Sequence, residues 1–447
     1  MDISTTWTPS SYPSATTLSS IATTNAPKLI ATVSSIMNKA NTETDIYNLK
    51  NLQQIYRGAQ ASLTIISAEE ILATATEATI QSSATQAIFD ATLNLKALEW
   101  DQNIYGYYLN KPANIVFLSV FSILMLYFCL MIIRSRYWAF NVTFCCGYAL
   151  QFIGFLGRVL SFSNYSSLPY FLMNNVCLTI SSAFIMAGIY FIFGQMVIIH
   201  DRKFSILPPL FYSYFFITID ILSILIQATG GAVASMNANN HSNSKVGDNI
   251  MIGGIVCQIA AMTLFIIFWL EFINRLYFKK FNNEPSTITE KYSLRKRSIS
   301  NFFKLLFNVK SVKTYKSVYL ESLYNSKYAT IRSHTLFPYM PLAMTVAVIV
   351  IYIRCVYRVV ELIEGYGGYL MTHEIYLLIL DATMIAIAGF IFFPFHPVWV
   401  FGKQNLVKLA SIRKKLDKNE IETFDDTNIF NEDILDHEEK QRRRDLL

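Results

Sequence analysis

The stretch "NIVFLSVFSILMLYFCLMII", residues 114–133, contains no charged residue. A helix needs about 20 mainly apolar residues to cross the hydrocarbon core of a bilayer, and this stretch has that length. Over the whole chain of 447 residues, 53% are hydrophobic and only 15% are charged. These properties predict a polytopic membrane protein rather than a soluble domain.

Six further apolar stretches follow the first one, each near the length that a spanning helix needs. The predicted fold class is therefore all-α, a polytopic membrane protein with seven transmembrane helices. The seven predicted spans are roughly 114–133, 138–160, 171–199, 209–229, 250–272, 338–360 and 375–400.

The charges of the connecting loops predict the orientation of these spans. Basic residues follow the first span at 134–136 and the third at 202–203, and many more follow the fifth, whereas the alternate loops hold one lysine and no arginine. Cytoplasmic loops carry an excess of Lys and Arg. Two alternate loops also contain sequons at Asn164 and Asn240, which can be glycosylated only on the external or lumenal face. We expect an external N-terminus, a cytoplasmic C-terminus and glycosylation at both asparagines.

Three regions are expected from these features. Residues 1–110 form an extracellular extension with a Ser/Thr-rich start, and Ser67 with Glu70 resembles a capping box at the start of a helical run. A helical stalk and a ligand-binding ectodomain both remain open for it. The transmembrane domain is predicted at 111–402, including a basic cytoplasmic loop at 273–337, and residues 403–447 are predicted as a disordered cytoplasmic tail.

Charged residues inside the sixth and seventh spans are the first candidates for a functional site. Arg354, Arg358 and Glu361 share one helix face, because their spacing is i, i+4 and i+7. A charged side chain facing lipid near the midplane costs at least about 2.5–3.5 kcal/mol, so these groups should face the bundle interior. Arg354 and Asp381 both lie about 9 Å inside the outer boundary. Their equal depth predicts that they pair.

Further polar residues within the spans are predicted in the same outer half of the membrane. Arg158 and Asp220 complete a set of three arginines and three carboxylates, which predicts one paired polar cluster below the outer surface. Gln227, Gln258 and Tyr357 add neutral polar groups. Two roles remain open for this cluster, since interhelical ion pairs can lock a bundle and can also line a substrate path.

Several motifs resemble those of the fungal lipid-translocating exporter family, which includes the aminocholesterol-resistance proteins, and especially its members that export sphingoid long-chain bases. The resemblance covers about residues 104–400. The matching segments are "YGY" (105–107), "GFLGR" (154–158), "DILSILIQATGG" (220–231), "GDNIMIGGIVCQ" (247–258), "LAMTVAVIVIYIRCVYRVVELIEGYGGYLMTHEIYLLILDATMIAIA" (342–388) and "FHP" (395–397).

The resemblance implies a plasma-membrane protein that moves lipids such as sphingoid bases outward and contributes to lipid and drug resistance. A sphingoid base has a long alkyl chain and a cationic amino-diol head. Carboxylates could neutralise that head, and the glutamines and tyrosine could bind its hydroxyl groups. The candidate substrate-binding residues are Arg158, Asp220, Gln227, Gln258, Arg354, Tyr357, Arg358, Glu361 and Asp381.

The chain departs from the family pattern in its second and third spans. Gln151 stands where the family usually has Glu, and Phe155 stands where it has Tyr. Ser181 and Ser182 replace an expected Ala-Pro pair, so no proline kink is expected there. The N-terminal extension lies outside the resemblance.

A second class of function, a seven-helix lipid sensor or receptor, fits the same topology. It would regulate lipid asymmetry through the long basic cytoplasmic loop or the tail, where a regulatory partner could bind. Ser298, in the sequence "RKRS", is a candidate phosphorylation site in that loop. Membrane lipids and sphingoid bases are the expected partners, and nucleic acid is not.

An enzymatic role is not expected. The chain contains no Walker-type Gly-x-x-x-x-Gly-Lys-Ser/Thr sequence, so no nucleotide cofactor is predicted. A metal-dependent hydrolase would need clustered ligands, but His373 and His396 lie about 34 Å apart along one predicted helix. They cannot share a metal, and no metal site is predicted.

Overall fold

The computed structural model describes residues 7–239, 245–278, 297–316, 320–365 and 368–402. Within these ranges the secondary structure is helical and no strand occurs. The main helices are α1 (Ala26–Ala40), α2 (Ile46–Thr74), α3 (Ala78–Asp101), α4 (Lys111–Arg134), α5 (Trp138–Leu160), α6 (Leu168–His200), α7 (Pro209–Asn239), α8 (Lys245–Phe278), α9 (Ile299–Leu306), α10 (Lys310–Tyr315), α11 (Met340–Glu364) and α12 (Glu374–Phe401).

The membrane domain contains the spans that the sequence predicts. Six helices are long and apolar enough to cross a bilayer, and a seventh span is formed when Ser326–Arg332 and Phe337–Glu364, which are bent by 92° relative to each other, are counted together. The all-α polytopic fold is therefore confirmed. Several helices run past their predicted ends, most clearly α8, which has 34 residues and extends beyond 250–272 on both sides.

Local sequence explains where these helices begin and bend. Asn110 caps α4 by accepting a hydrogen bond from the Ala113 backbone at 3.2 Å, and a proline occupies the first turn. Helix α6 has no proline beyond its first turn and continues unbroken through Ser181. In α12, residues Leu377–Thr383 form a π-helical segment, with the Thr383 hydroxyl donating to the Leu378 carbonyl at 2.8 Å.

Aromatic side chains fill much of the core between the spans. Phe128 stacks on Tyr148 with ring centroids 5.4 Å apart, and Phe193 meets Trp269 edge-on at 5.4 Å. Close helix approach requires a glycine at position 389, because a Cβ there would lie 2.5 Å from the Tyr148 hydroxyl. These contacts hold the polar side chains described below in fixed positions.

The loops sort into two groups at opposite ends of the bundle. At one end the Ile104 backbone donates to Tyr165, and the Asn110 backbone donates to Glu374. At the other end the Tyr137 hydroxyl donates to the Gly402 carbonyl, and the Arg332 guanidinium donates to the Ile199 carbonyl at 2.7 Å. Among the described residues, the connections after α4 and α6 therefore lie at one end, and the connection after α5 and the start of α12 lie at the other.

The N-terminal extension contains α1, α2 and α3, and a small apolar core lies between α2 and α3. Ile65 and Ile88 are the bulkiest buried residues of that core. The predicted capping box at Ser67 is wrong, because Ser67 lies inside α2 and donates to the Thr64 carbonyl at 3.1 Å. Packing across α2 and α3 keeps the helix continuous up to Thr74.

Candidate functional site

The predicted pair between the sixth and seventh spans is present. The Arg354 Nε atom donates to Asp381 Oδ1 at 2.5 Å, and the two side chains are 1% and 0% exposed. The same guanidinium also donates to the backbone carbonyl of Leu178 in α6. Arg354 therefore ties α11 to both α6 and α12.

Arg358 extends this pair into a cluster. Its Nε atom lies 2.6 Å from Asp381 Oδ2, although without hydrogen-bond geometry, and its Nη1 atom donates to Glu361 Oε2 at 2.7 Å. The Tyr357 hydroxyl donates to the other Glu361 oxygen at 2.8 Å. We refer to Arg354, Arg358, Glu361 and Asp381 as the arginine cluster. Each carboxylate in it contacts at least one arginine, so its charges are compensated inside the bundle.

The π-helical segment of α12 explains how Asp381 meets both arginines. A π turn widens the helix locally and changes the direction of the side chains within it. Asp381 lies in this segment and is completely buried. Such segments are frequent at functional sites.

Arg158 belongs to a different group. Its Nη2 atom donates to Glu374 Oε1 at 2.6 Å, and its Nε atom donates to Asn114 Oδ1 at 2.8 Å. Tyr107 accepts a third bond at 3.2 Å. The Asn110 backbone donates to the second Glu374 oxygen at 2.7 Å. This group, Arg158, Glu374, Asn114 and Tyr107, is called the Glu374 cluster, and it ties together the ends of α4, α5 and α12.

Tyr105 lies beside the Glu374 cluster, outside the spans. Its ring packs under the Arg158 guanidinium, 5.7 Å from ring centroid to Cζ, and its hydroxyl lies 3.0 Å from the Ser161 hydroxyl. Burial raises the pKa of Tyr105, so its hydroxyl remains protonated at neutral pH. The cluster is thus closed on one side by a neutral aromatic ring.

The expectation of one cluster with three arginines and three carboxylates is therefore wrong in two places. Arg158 pairs with Glu374 and not with a carboxylate of the predicted set. Asp220 forms no ion pair with any arginine or lysine in the described part of the chain. The structure brings four predicted residues together as the arginine cluster and separates the other two.

Asp220 is the exceptional carboxylate. It lies on α7, is 3% exposed, and neither carboxylate oxygen completes a hydrogen bond among the described residues. Its polar neighbours are the Tyr190 hydroxyl of α6 and the Cys355 thiol of α11. Cys355 also neighbours Arg354 and Asp381. Asp220 therefore lies near the arginine cluster without joining it.

Two glutamines, one on α7 and one on α8, add polar side chains on the same side of α7 as Asp220. Gln227, two helical turns beyond Asp220 on the same face, donates its amide to Gln258 Oε1 at 3.3 Å. Helices α7 and α8 approach closely here, because a Cβ on Gly254 would lie 2.7 Å from Gln227 Cγ and 3.0 Å from the Ser223 carbonyl. We call Asp220, Gln227 and Gln258 the Asp220 site.

Two of the three departures from the family pattern, at Gln151 and at Ser181, contact each other. Gln151 on α5 donates to the Ser181 hydroxyl on α6 at 2.6 Å, and both side chains are fully buried. The Oε1 atom of the same Gln151 amide accepts no hydrogen bond among the described residues. Position 151 thus has an amide where the family usually has a carboxylate, and that amide bonds to a serine where the family usually has the alanine of an Ala-Pro pair.

The structure describes two of the three predicted modification sites, Asn164 and Ser298. Asn164 is exposed in the loop after α5, and its side chain accepts from the Ser166 backbone at 3.0 Å and the Ser166 hydroxyl at 2.7 Å. Asn240 lies outside the described residues. Ser298 is exposed and immediately precedes α9. Glycosylation and phosphorylation at these positions remain predictions.

Sequence reasoning missed Glu374, Asn114 and Tyr107. Glu374 lies one residue before the predicted start of the last span at 375, and so outside the set of intramembrane charges. Asn114 was counted only as the first residue of a span. Tyr107 belongs to the "YGY" motif, and that motif was the one available signal for this cluster.

Comparisons with known proteins agree with the motifs. The RTA1 like protein family matches residues 144–404. The sphingoid long-chain base transporter RSB1 of Saccharomyces cerevisiae is 33% identical over 352 residues, which cover 76% of this chain and 85% of the yeast protein. Protein RTM1 of the same species is 25% identical over 262 residues, 58% of this chain and 68% of that protein.

Protein RTA1 of Saccharomyces cerevisiae is 26% identical over 258 residues, covering 58% of this chain and 65% of that protein. No solved structure matches this chain significantly. The family match, at residues 144–404, includes every residue of the arginine cluster and of the Asp220 site. This chain belongs to the RTA1-like protein family.

Proposed function

We propose that this protein transports cationic long-chain amphiphiles, sphingoid bases in particular, toward the outer leaflet of the plasma membrane. The observation that carries the proposal is the Asp220 carboxylate, which is buried and has no basic partner in the described residues. The name of the yeast relative, sphingoid long-chain base transporter, supports the same class of substrate.

The chemistry of the Asp220 site matches the head of a sphingoid base. An ammonium group would bind the Asp220 carboxylate as a charge-assisted pair. The amides of Gln227 and Gln258 would bind the two hydroxyl groups, replacing the bond that they now make with each other. Flanking positions on α7, such as Ile221 and Leu225, are exposed on the membrane-facing side. The alkyl chain can therefore remain in lipid while the head lies between helices.

The arginine cluster has a different role in this proposal. Its carboxylates already contact arginines, so they are less available to a cationic head than Asp220 is. We assign it to the fixed wall of the path, with Cys355 near both its Arg354–Asp381 pair and Asp220. Ion pairs that exchange partners could still admit the head further along the path.

The predicted orientation and regional organisation become part of this proposal. We place the end of the bundle that carries Asn164 and the Glu374 cluster outside, together with the N-terminal extension. The basic loop 273–337 and the tail 403–447 are then cytoplasmic, with Ser298 as a regulatory site for a partner. Glycosylation mapping tests this: modification of Asn164 and Asn240 supports it, and labelling of either asparagine only from the cytoplasm contradicts it.

The transport step is tested with purified protein in liposomes that contain a fluorescent sphingoid base. The expected result is faster movement of the base between leaflets without nucleotide, measured by chemical quenching of the outer leaflet. An N-acylated base, which has no positive charge, serves as the matched control substrate and should not be accelerated. Movement at the rate of protein-free liposomes contradicts the proposal.

The same experiment separates a transporter from a sensor. A sensor would bind the base, and the bound base would change the accessibility of the basic loop, while the rate of lipid movement stayed at its background value. Limited proteolysis of residues 273–337 with and without the base provides that second readout.

A further inference from the structure

The buried carboxylates of the membrane domain differ in whether they contact a basic side chain. Asp381, Glu361 and Glu374 each lie within 2.7 Å of an arginine nitrogen. Asp220 is as deeply buried, yet in the described part of the chain neither of its oxygens accepts a hydrogen bond and no basic group forms an ion pair with it.

The groups facing Asp220 cannot compensate a negative charge. Helix α6 contributes the Tyr190 hydroxyl, and α11 contributes the Cys355 thiol. Helix α8 contributes the amide of Gln258, which is bonded to Gln227 two helical turns beyond Asp220. The first two are titratable acids that are neutral when protonated, and the third does not titrate. An ionised carboxylate in an apolar interior without a cation is so unfavourable that the group binds a proton instead.

We propose that Asp220 exchanges a proton for the cationic head of the lipid, so that export is coupled to proton movement in the opposite direction. This inference rests on the proposed transport function. In the empty state the Asp220 carboxyl holds a proton. When the ammonium group enters from the cytoplasmic side, the proton leaves to water on that side, and the carboxylate pairs with the ammonium.

The cycle is completed when the head leaves toward the outer surface. A proton from external water then binds Asp220 and restores the neutral carboxyl. One positive charge moves outward as lipid and one moves inward as a proton, so the exchange transfers no net charge. An acidic external side would therefore drive accumulation of the lipid in the outer leaflet.

The probe for this exchange is N,N,N-trimethylsphingosine, whose positive charge is permanent. A natural sphingoid base can lose its proton and cross the bilayer as a neutral amine, which would mimic coupling without the protein. The trimethylated probe cannot do so. Proton movement that accompanies this probe therefore does not arise from deprotonation of the lipid itself.

The experiment uses the full chain in liposomes that contain a trapped pH indicator. We expect transport of the probe to be accompanied by protons in the opposite direction at a ratio of one to one, and to be accelerated at least tenfold by a gradient of two pH units. Asp220→Asn should abolish both effects, and Asp220→Glu should retain them. Glu271→Gln, which removes a carboxylate paired with Arg275 at the end of α8, is the matched control and should behave like the unchanged protein.

The outcomes separate the two proposals. If neither the trimethylated probe nor a natural base is moved faster than in protein-free liposomes, the transport function itself fails. If lipid is moved but no protons accompany it, or if Asp220→Asn remains coupled, the exchange inference is overturned while transport stands. A thermal unfolding curve of Asp220→Asn checks folding, and the coupling ratio of the unchanged protein tests the inference even if that variant is unstable.

Discussion

Asp381 and Asp220 are two buried aspartates of one helical bundle with opposite surroundings. Asp381 is 0% exposed and contacts two arginines from α11, whereas Asp220 is 3% exposed and faces a hydroxyl and a thiol. The first is bound to its partners within the fold and stabilises it. The second forms no ion pair within the described residues, so we propose that its carboxylate is available to a cationic ligand. This difference is the basis on which we propose Asp220, and not Asp381, as the group that binds the cationic head.

The largest expected effect comes from breaking the paired aspartate. Asp381→Asn leaves Arg354 and Arg358 buried with one compensating charge fewer, which costs about 3–5 kcal/mol in comparable buried pairs. We expect a strong loss of folded protein at the cell surface and a lower unfolding temperature in detergent. An unfolding temperature equal to that of the unchanged protein would show that the pair does not stabilise the bundle.

The double exchange Arg354→Asp with Asp381→Arg sharpens this test. The attraction depends on the proximity of the two groups and not on which helix carries which charge. Surface expression should therefore recover above that of either single variant, even though transport stays low because the charges lining the path are reversed. No recovery at all would contradict direct pairing of these two positions.

A smaller effect is expected at the Glu374 cluster. Glu374→Gln removes the charged partner of Arg158, but Asn114 and Tyr107 still accept its hydrogen bonds. Hydrogen bonds to charged groups contribute about 1.5–3 kcal/mol, and we expect a loss of stability in that range. Glu271→Gln, in an i,i+4 pair at a helix end, is the control and should cost no more than about 0.5 kcal/mol. Equal losses of unfolding free energy in the two variants would contradict the expectation that a buried ion pair stabilises the fold more than a half-exposed one.

The next effect concerns the helix contact beside the Asp220 site. A Cβ at Gly254 would press on the backbone of α7, so Gly254→Ala should cost about 1–3 kcal/mol and disturb the Gln227–Gln258 bond. Gly253→Ala is the control, because a Cβ there meets nothing within 4 Å. Unfolding temperature and lipid transport should both fall for Gly254→Ala and stay unchanged for Gly253→Ala. The reverse order would contradict close packing at this position.

The sequence was sufficient to predict the spans and one ion pair. Long apolar stretches predict membrane helices directly, and helical rise gave Arg354 and Asp381 the same depth, so their contact could be predicted. Depth does not specify which face of a helix meets which neighbour. For that reason Arg158 and Asp220 were expected in a single cluster with the other charges, and the structure places them elsewhere.

Other differences arise from packing that no short motif records. Ser67 and Glu70 have the residue types of a capping box, but contacts between α2 and α3 keep α2 helical through that point. The π-helical segment at Leu377–Thr383 likewise has no simple signature in the sequence, although it positions Asp381 against both arginines. The equal numbers of arginines and carboxylates in the predicted cluster also led to the expectation that every carboxylate is paired. A count of charges cannot show that Asp220 has no basic partner among the described residues.

The most direct test of the account compares ligand-induced stabilisation in Asp220→Asn and in the unchanged protein. Because Asn has nearly the size and the neutral charge of a protonated Asp, the variant without ligand should unfold at nearly the same temperature as the unchanged protein. A sphingoid base at 100 times its dissociation constant should stabilise the unchanged protein by about 2.7 kcal/mol and leave Asp220→Asn unaffected. Equal stabilisation of both proteins by the base would contradict the assignment of Asp220 as the group that binds the cationic head.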